Sequence, residues 1–208
     1  MDNFVVTFAR GFGTGGKAIA SQLAKELGIH CYENRILTLA SQLSGLDENV
    51  FQEVNEKLRE EGGFTSFLRG LPRAKGYISR NEKFKSDDRL FEYQSQIINE
   101  LADKESCVIV GKCADYVLKD MDCVASFFIV ADAEAKLQRT METKQLSQRD
   151  AEATIKRHDR NRKTYYKDHT DMEWGNSKNY DMTINSTVLG FKKTADIIED
   201  FVKTKFDL

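Results

Sequence analysis

A three-layer α/β fold on a mainly parallel five-stranded sheet is what this chain of 208 residues predicts. Three observations carry that reading. Five apolar, strand-like runs recur along the chain, helical patterns lie between them, and a glycine-rich turn follows the first run. Several runs are continuously apolar, as strands covered on both faces must be.

The strands are predicted at Phe4–Ala9, Ile29–Tyr32, Cys107–Val110, Cys123–Val130 and Tyr180–Asn185. Ile19, Ala20, Leu23, Ala24 and Leu27 keep helical spacing after the first of them, and Gly28 stops that helix. Asp132 stands where it would cap a helix over Ala133–Thr143, with Glu134 in its first turn. Further helices fit Arg35–Leu43, Arg89–Asp103 and Phe191–Lys203. The length suits one domain over residues 1–208. Two segments interrupt the alternation. Residues 45–88 carry five glycines, the only proline (Pro72) and many basic residues; residues 144–178 are polar and rich in arginine. Insertions of this length in compact α/β domains are usually functional covers or disordered loops.

Hydrophobic residues at 40% and charged residues at 31% place the chain among ordinary soluble proteins. A net charge of −2 gives no global argument for nucleic acid or an acidic membrane surface. No apolar stretch approaches the roughly 20 residues that span a bilayer. Asp2 and the short run Phe4–Ala9 do not make a secretory leader, so a cytoplasmic protein is expected. Cys31, Cys107, Cys113 and Cys123 form no C-x-x-C pair and no metal-ligand spacing with His30, His158 and His169. They read as reduced thiols, and no zinc is expected in the chain.

Arg10-Gly11-Phe12-Gly13-Thr14-Gly15-Gly16-Lys17-Ala18 satisfies two patterns at once. Gly11-x-Gly13-x-x-Gly16 fits a dinucleotide fingerprint, with Glu33 where a ribose-binding acid belongs. Gly11-x4-Gly16-Lys17 is also the core of a phosphate loop. Both use small residues to bring backbone N–H groups to phosphate at a helix N-terminus. Lys17 favours the phosphate loop, because a cation there reaches the β and γ phosphates. Ala18 replaces the hydroxyl that usually holds Mg²⁺, so the chain offers no metal ligand by motif. The ion would be held mainly by nucleotide oxygens, water and carboxylates.

From Arg139 to Lys167 nine basic residues face four acidic ones. Within that segment Arg157, Arg160 and Arg162 read as a phosphate-binding lid, since arginine's planar fork fits phosphate oxygens. The plainer alternative is a solvated helical face with ion pairs, such as Asp159 with its neighbouring arginines. Tyr165 and Tyr166 form no evident platform for RNA bases. No Ser-His-Asp or Cys-His set emerges, which suits an acceptor already ionised at neutral pH.

Over nearly its whole length the sequence resembles the cytidylate kinase-like family of P-loop monophosphate kinases. The matching stretches are Gly13–Lys17 with the helix behind it, Cys31-Tyr32-Glu33-Asn34-Arg35, and Val108-Ile109-Val110-Gly111-Lys112-Cys113-Ala114-Asp115. Arg157–Tyr166, Trp174-Gly175 and Asn179–Thr187 also match. The resemblance implies a P-loop nucleoside triphosphate hydrolase fold, ATP with Mg²⁺ as cofactors, and phosphoryl transfer to a nucleoside monophosphate. It implies an ATP site at Gly11, Gly13, Thr14, Gly15, Gly16, Lys17 and Ala18, and catalytic roles for Lys17, Arg139, Arg157 and Arg160. Glu33, Lys112 and Asp115 would face the acceptor, 45–88 would be an acceptor-side insertion and 144–178 the lid. True cytidylate kinases run into Gly-Arg-Asp after the third strand, where this chain has Gly111-Lys112-Cys113. The partners expected are small nucleotides, with no nucleic acid or membrane; self-association is compatible with the sequence. Two other classes stand beside this one: a non-catalytic nucleotide sensor derived from such a kinase, and an NAD-binding oxidoreductase.

Overall fold

The structure is a computed structural model and describes residues 3–33, Ile36, Leu39 and 87–208, with backbone alone for 87–90. The expected insertion over 45–88 and the helix Arg35–Leu43 fall almost wholly outside the described residues. The chain divides into two compact units, Met1–Glu33 with Ile98–Leu208, and Asn34–Ile97. In the second unit Ile36, Leu39 and Ile97 are completely buried.

The first unit is built on five parallel strands in the order β2-β3-β1-β4-β5. These are β1 (Val5–Arg10), β2 (His30–Tyr32), β3 (Cys107–Val110), β4 (Val124–Val130) and β5 (Met182–Asn185). The strand runs predicted from apolar continuity lie within two residues of these bounds. β1 is central, with Val6 opposite Val108 of β3 and Ala125 of β4. Its residues Val5–Ala9 are all buried, which is what a strand covered on both faces requires. The described helices are α1 (Gly16–Leu27), α2 (Asp87–Lys104), α3 (Ala114–Val117), α4 (Ala133–Lys144), α5 (Gln148–Thr170) and α6 (Ser186–Phe206).

On one face of the sheet α1 and α6 close the main core. Ile19, Leu23, Phe8, Phe127, Ile129 and Ile198 are among its members, and Phe127 packs edge-on to Phe201 at 5.4 Å. Burying each such side chain contributes about 1.5–3 kcal/mol, which anchors the N-terminal end of α1 against the sheet. Gly28 ends α1 in the left-handed region (φ 68°), as its position predicts. Asp132 does occupy the N-cap of α4, but its carboxylate accepts from Asn185 Nδ2 at 2.8 Å rather than from the helix. The cap geometry was legible in the sequence; the neighbouring β5 terminus that draws the side chain away was not. Helix α6 starts at Ser186, earlier than its predicted start at Phe191, and kinks at Gly190, whose positive φ (73°) interrupts the helix. Cys107 and Cys113 are buried thiols pushed up to about 12 by desolvation, and all four cysteines are free.

The C-terminal ends of β1 and β3 adjoin, although a long connection separates them in sequence. Chain connections leave these two strands in opposite directions across the sheet. That junction is where open parallel sheets leave a crevice for ligand. In a dinucleotide fold β2 would lie beside β1; here β3 does, so the sheet does not have the dinucleotide-fold strand order.

Candidate active site

The loop between β1 and α1 is a backbone cradle. Gly13 and Gly15 take φ near 74° and 80°, conformations that side-chain-bearing residues rarely adopt. A Cβ on Gly13 would lie 2.8 Å from the carbonyl of Lys136, and one on Gly15 would run into the Phe191 ring. Both glycines therefore answer to bend and to close packing. The buried Thr14 hydroxyl donates to Gly11 O at 2.9 Å and accepts from Gly16 N–H at 3.3 Å. Behind the loop, Ser186 Oγ donates to Thr14 O at 2.6 Å, and Arg139 Nη1 donates to Thr14 O at 3.2 Å and Gly13 O at 3.4 Å. The Arg139 guanidinium also stacks on Phe191 at 4.7 Å. Carbonyls are thus held backwards, which turns N–H groups outwards. The Lys17 and Ala18 amides, at the head of α1, have no partner among the described residues and suit an anion.

Around this cradle the strand ends assemble cations. Glu33, after β2, accepts from Lys17 Nζ at 2.6 Å and from Arg10 Nη2 at 3.1 Å. Burial raises the Glu33 carboxyl, but the Lys17 hydrogen bond and the Arg10 charge outweigh it and leave it below its ordinary value. Arg10 is itself mostly buried, its guanidinium resting against Gly111 so closely that a Cβ there would meet Nη1 at 2.3 Å. Lys112 follows in a left-handed conformation (φ 59°), and desolvation with repulsion from Arg10 lowers its pKa to about 8. Arg162, from α5, donates to Arg10 O at 2.9 Å, and desolvation together with Arg10 brings it down to about 10. Arg10, Lys17, Lys112 and Arg162, with Lys136, outnumber the carboxylates Glu33 and Asp159, so the crevice carries an excess of positive charge that an anion would neutralise.

Helix α5 presents two unlike faces. Ala151, His158, Asp159, Arg162 and Tyr166 recur at helical spacing on the covered side; Arg157, Arg160, Asn161 and Thr164 are exposed on the other. Asp159 accepts from the Phe12 amide at 2.7 Å and from Lys136 Nζ at 2.6 Å. Two turns further on, Tyr166 Oη donates to Asp115 Oδ2 at 2.7 Å. The structure thus brings Lys17, Glu33, Lys112 and Arg139 together around the loop. It places Asp115 in a buried bond to Tyr166, and it turns Arg157 and Arg160 to solvent with no hydrogen bond or ion pair among the described residues. Trp174 packs edge-on to Phe128 at 5.2 Å. Sequence reasoning missed Arg10, Lys136 and the loop contact of Asp159. A helical wheel of α5 separates Asp159 and Arg162 from Arg157 and Arg160, and would have drawn that division.

Among the described residues, the one group of three side chains with metal-ligand spacing is Glu26, Asp196 and Glu199. Lys192 pairs with Asp196 and Lys203 with Glu199, so it reads as a surface ion-pair cluster. At the loop, Ala18 offers no oxygen, Glu33 is held by two cations and Asp159 by Lys136. The described residues at the loop suit an anion through amides and cations, and none of the carboxylates described there is left unpaired to hold Mg²⁺. No described helix is long and apolar enough to cross a membrane.

A five-stranded parallel sheet with a glycine-lysine loop entering its first helix defines the P-loop class of phosphate-binding proteins. The chain belongs to the cytidylate kinase-like family, whose model matches residues 5–188. Its fold is similar to that of an uncharacterised protein from Eubacterium ventriosum, at 24% identity and TM-score 0.71, covering 97% of this chain and 99% of that one. It is also similar to shikimate kinase from Acinetobacter baumannii, solved with shikimate, at 12% identity and TM-score 0.52 over 98% and 95% of the two chains. A gluconokinase from Sinorhizobium meliloti gives 11% identity and TM-score 0.50 over 98% and 97%. No sequence relative was found among curated proteins.

Proposed function

We propose that this protein transfers the terminal phosphoryl group of ATP to a small anionic acceptor, a nucleoside monophosphate in first place. The observation that carries the reading is the open amide cradle ending in Lys17, set in a crevice with a surplus of cations. ATP supplies the phosphoryl group, with Mg²⁺ carried on its own oxygens. The amides of the Thr14–Ala18 turn and Lys17 hold the donor phosphates, and Arg139 keeps the loop carbonyls turned away from them. Glu33 orients Lys17 and Arg10. Arg10 and Lys112 attract the acceptor's anionic group at the β1/β3 crevice. Arg162 reaches over the junction from the lid helix α5. The family resemblance gave the transition-state role to Arg157 and Arg160; their solvent-facing side moves that role, in this proposal, to Arg162. A phosphomonoester is already ionised at neutral pH, so positioning and charge neutralisation are the work required, without a general base.

The test is ADP release from ATP with a panel of nucleoside monophosphates, and with shikimate and gluconate as hydroxy-acid acceptors. Turnover with a monophosphate is expected, falling roughly 100-fold or more in Lys17→Ala while the folded state persists. ATP is also expected to raise the melting temperature and NAD to leave it unchanged. Stabilisation by ATP with no acceptor turned over would select the sensor reading. Turnover at the parental rate in Lys17→Ala would remove Lys17 from the chemistry.

A further inference from the structure

We propose that Asp159 is a positioning residue that pins α5 to the phosphate loop through the Phe12 amide and so holds Arg162 at the crevice. Its kinetic consequence rests on the phosphotransfer reading above; the pin itself does not.

Three side chains from about one turn of α5 converge on residues 10–12. Asp159 Oδ1 accepts from Phe12 N–H at 2.7 Å. The His158 ring stacks on the Phe12 ring at 4.4 Å, nearly parallel at 8°. Arg162 lies 5.7 Å over that same ring and donates to Arg10 O at 2.9 Å. The second oxygen of Asp159 accepts from Lys136 at 2.6 Å, and the backbone carbonyl of Lys136 borders Gly13. One carboxylate thus ties α5, α4 and the loop together.

Two roles are open to a carboxylate touching a phosphate loop. It could compete with the donor for the loop's amides, or it could dock the helix beside them. The arrangement favours docking. Asp159 is matched by Lys136 at 2.6 Å and by Arg162 at 3.9 Å, so it presents no net negative charge to a donor. Phe12 also precedes the helix-leading amides of Lys17 and Ala18, which remain open. The pin therefore occupies a different part of the loop. Because Arg162 sits one turn after Asp159 on the same face, the pin fixes where its guanidinium can reach.

The experiment compares the parent with Asp159→Ala, Asp159→Asn, Arg162→Ala and the Asp159→Ala/Arg162→Ala double variant. Phe12 amide exchange is followed by NMR without nucleotide, beside ADP affinity and turnover. In Asp159→Ala the Phe12 amide should exchange about ten- to a hundredfold faster, as expected for loss of a hydrogen bond to a charged group, while β1 amides stay unchanged. Turnover should fall by a similar factor, with ADP affinity changed less than about threefold. Asp159→Asn should keep part of the amide protection, because one oxygen remains. The double variant should be no slower than Arg162→Ala alone, since the two act as a unit. Tighter ADP binding in Asp159→Ala would make the carboxylate a competitor and overturn the pin, as would unaltered Phe12 exchange. If the parent turns over no acceptor, the phosphotransfer reading falls, and amide exchange alone decides the pin.

Discussion

Lys112 shows how much a single residue's setting can differ from its place in the sequence. Gly111-Lys112 was visible as the segment after the third strand, but Arg10 and Arg162, whose charges act on Lys112, come from distant parts of the chain. Burial and Arg10 hold its pKa near 8, below the ordinary 10.5. Below about pH 8 the ammonium is charged in both folded and unfolded states, and the folded state bears the cost. Between about 8 and 10.5 the folded protein releases this proton first, so the cost is relieved and stability rises with pH. Anion binding runs the other way, because it needs the charge. Affinity for a phosphomonoester acceptor, measured from pH 7 to 9.5, should therefore decline above about pH 8, by up to about tenfold per pH unit. Lys112→Arg should remove the decline, since guanidinium stays protonated. A parental affinity that is flat across this range would mean Lys112 does not meet the acceptor.

At the scale of elements, strand positions and the helix after the loop were legible because apolar burial leaves a period in the sequence. Boundaries set by polar partners were not. The side chain of Asp132 serves Asn185, and α6 begins at Ser186 because Asn185 Oδ1 caps it by accepting from the Thr187 amide. For α5 the sequence showed a basic helix but not which side docks. Its mean character is polar all round, and the docked side is marked by Asp159, Arg162 and Tyr166 rather than by an apolar stripe. Arg162→Ala should lower turnover about 10²- to 10³-fold, whereas Arg157→Ala and Arg160→Ala should each stay within about threefold of the parent. Kinetics of the three variants with the best acceptor decide this. A larger loss at Arg157 or Arg160 than at Arg162 would show that α5 turns its other face to the substrates during reaction.

For the whole molecule, alternation of strands and helices foretold a parallel sheet but not the placement of β3 between β2 and β1. That order brings Gly111 beside Arg10, and it also buries Asp115 beneath Tyr166. Desolvation raises the Asp115 carboxyl to about 6 despite the Tyr166 hydrogen bond. Below about pH 4 both folded and unfolded states are protonated and no cost exists. Between about pH 4 and 6 the unfolded carboxyl ionises while the buried one stays protonated, so stability falls across that window, and above 6 the folded state carries the full cost of a buried anion. Asp115→Asn can still accept from Tyr166 and should stabilise the fold by about 1–3 kcal/mol at pH 7.5, the gain shrinking as pH falls below 6. Denaturant melts at pH 7.5 and pH 5 check it. Destabilisation of equal size at both would make the ionised carboxylate a requirement of the fold.

Helix α5 is held at two outer mounts, Asp159 on the loop and Tyr166 on Asp115, with Arg162 on Arg10 between them. Seven residues of helix separate these mounts, about 10 Å along its axis. A rod fixed twice cannot swing about either mount, so it cannot lift by peeling from one end. Were α5 to lift from the crevice as a rigid lid, the bonds at both mounts would have to break. Substrate entry would then be timed by the slowest bond pair on the rod rather than by diffusion into the crevice.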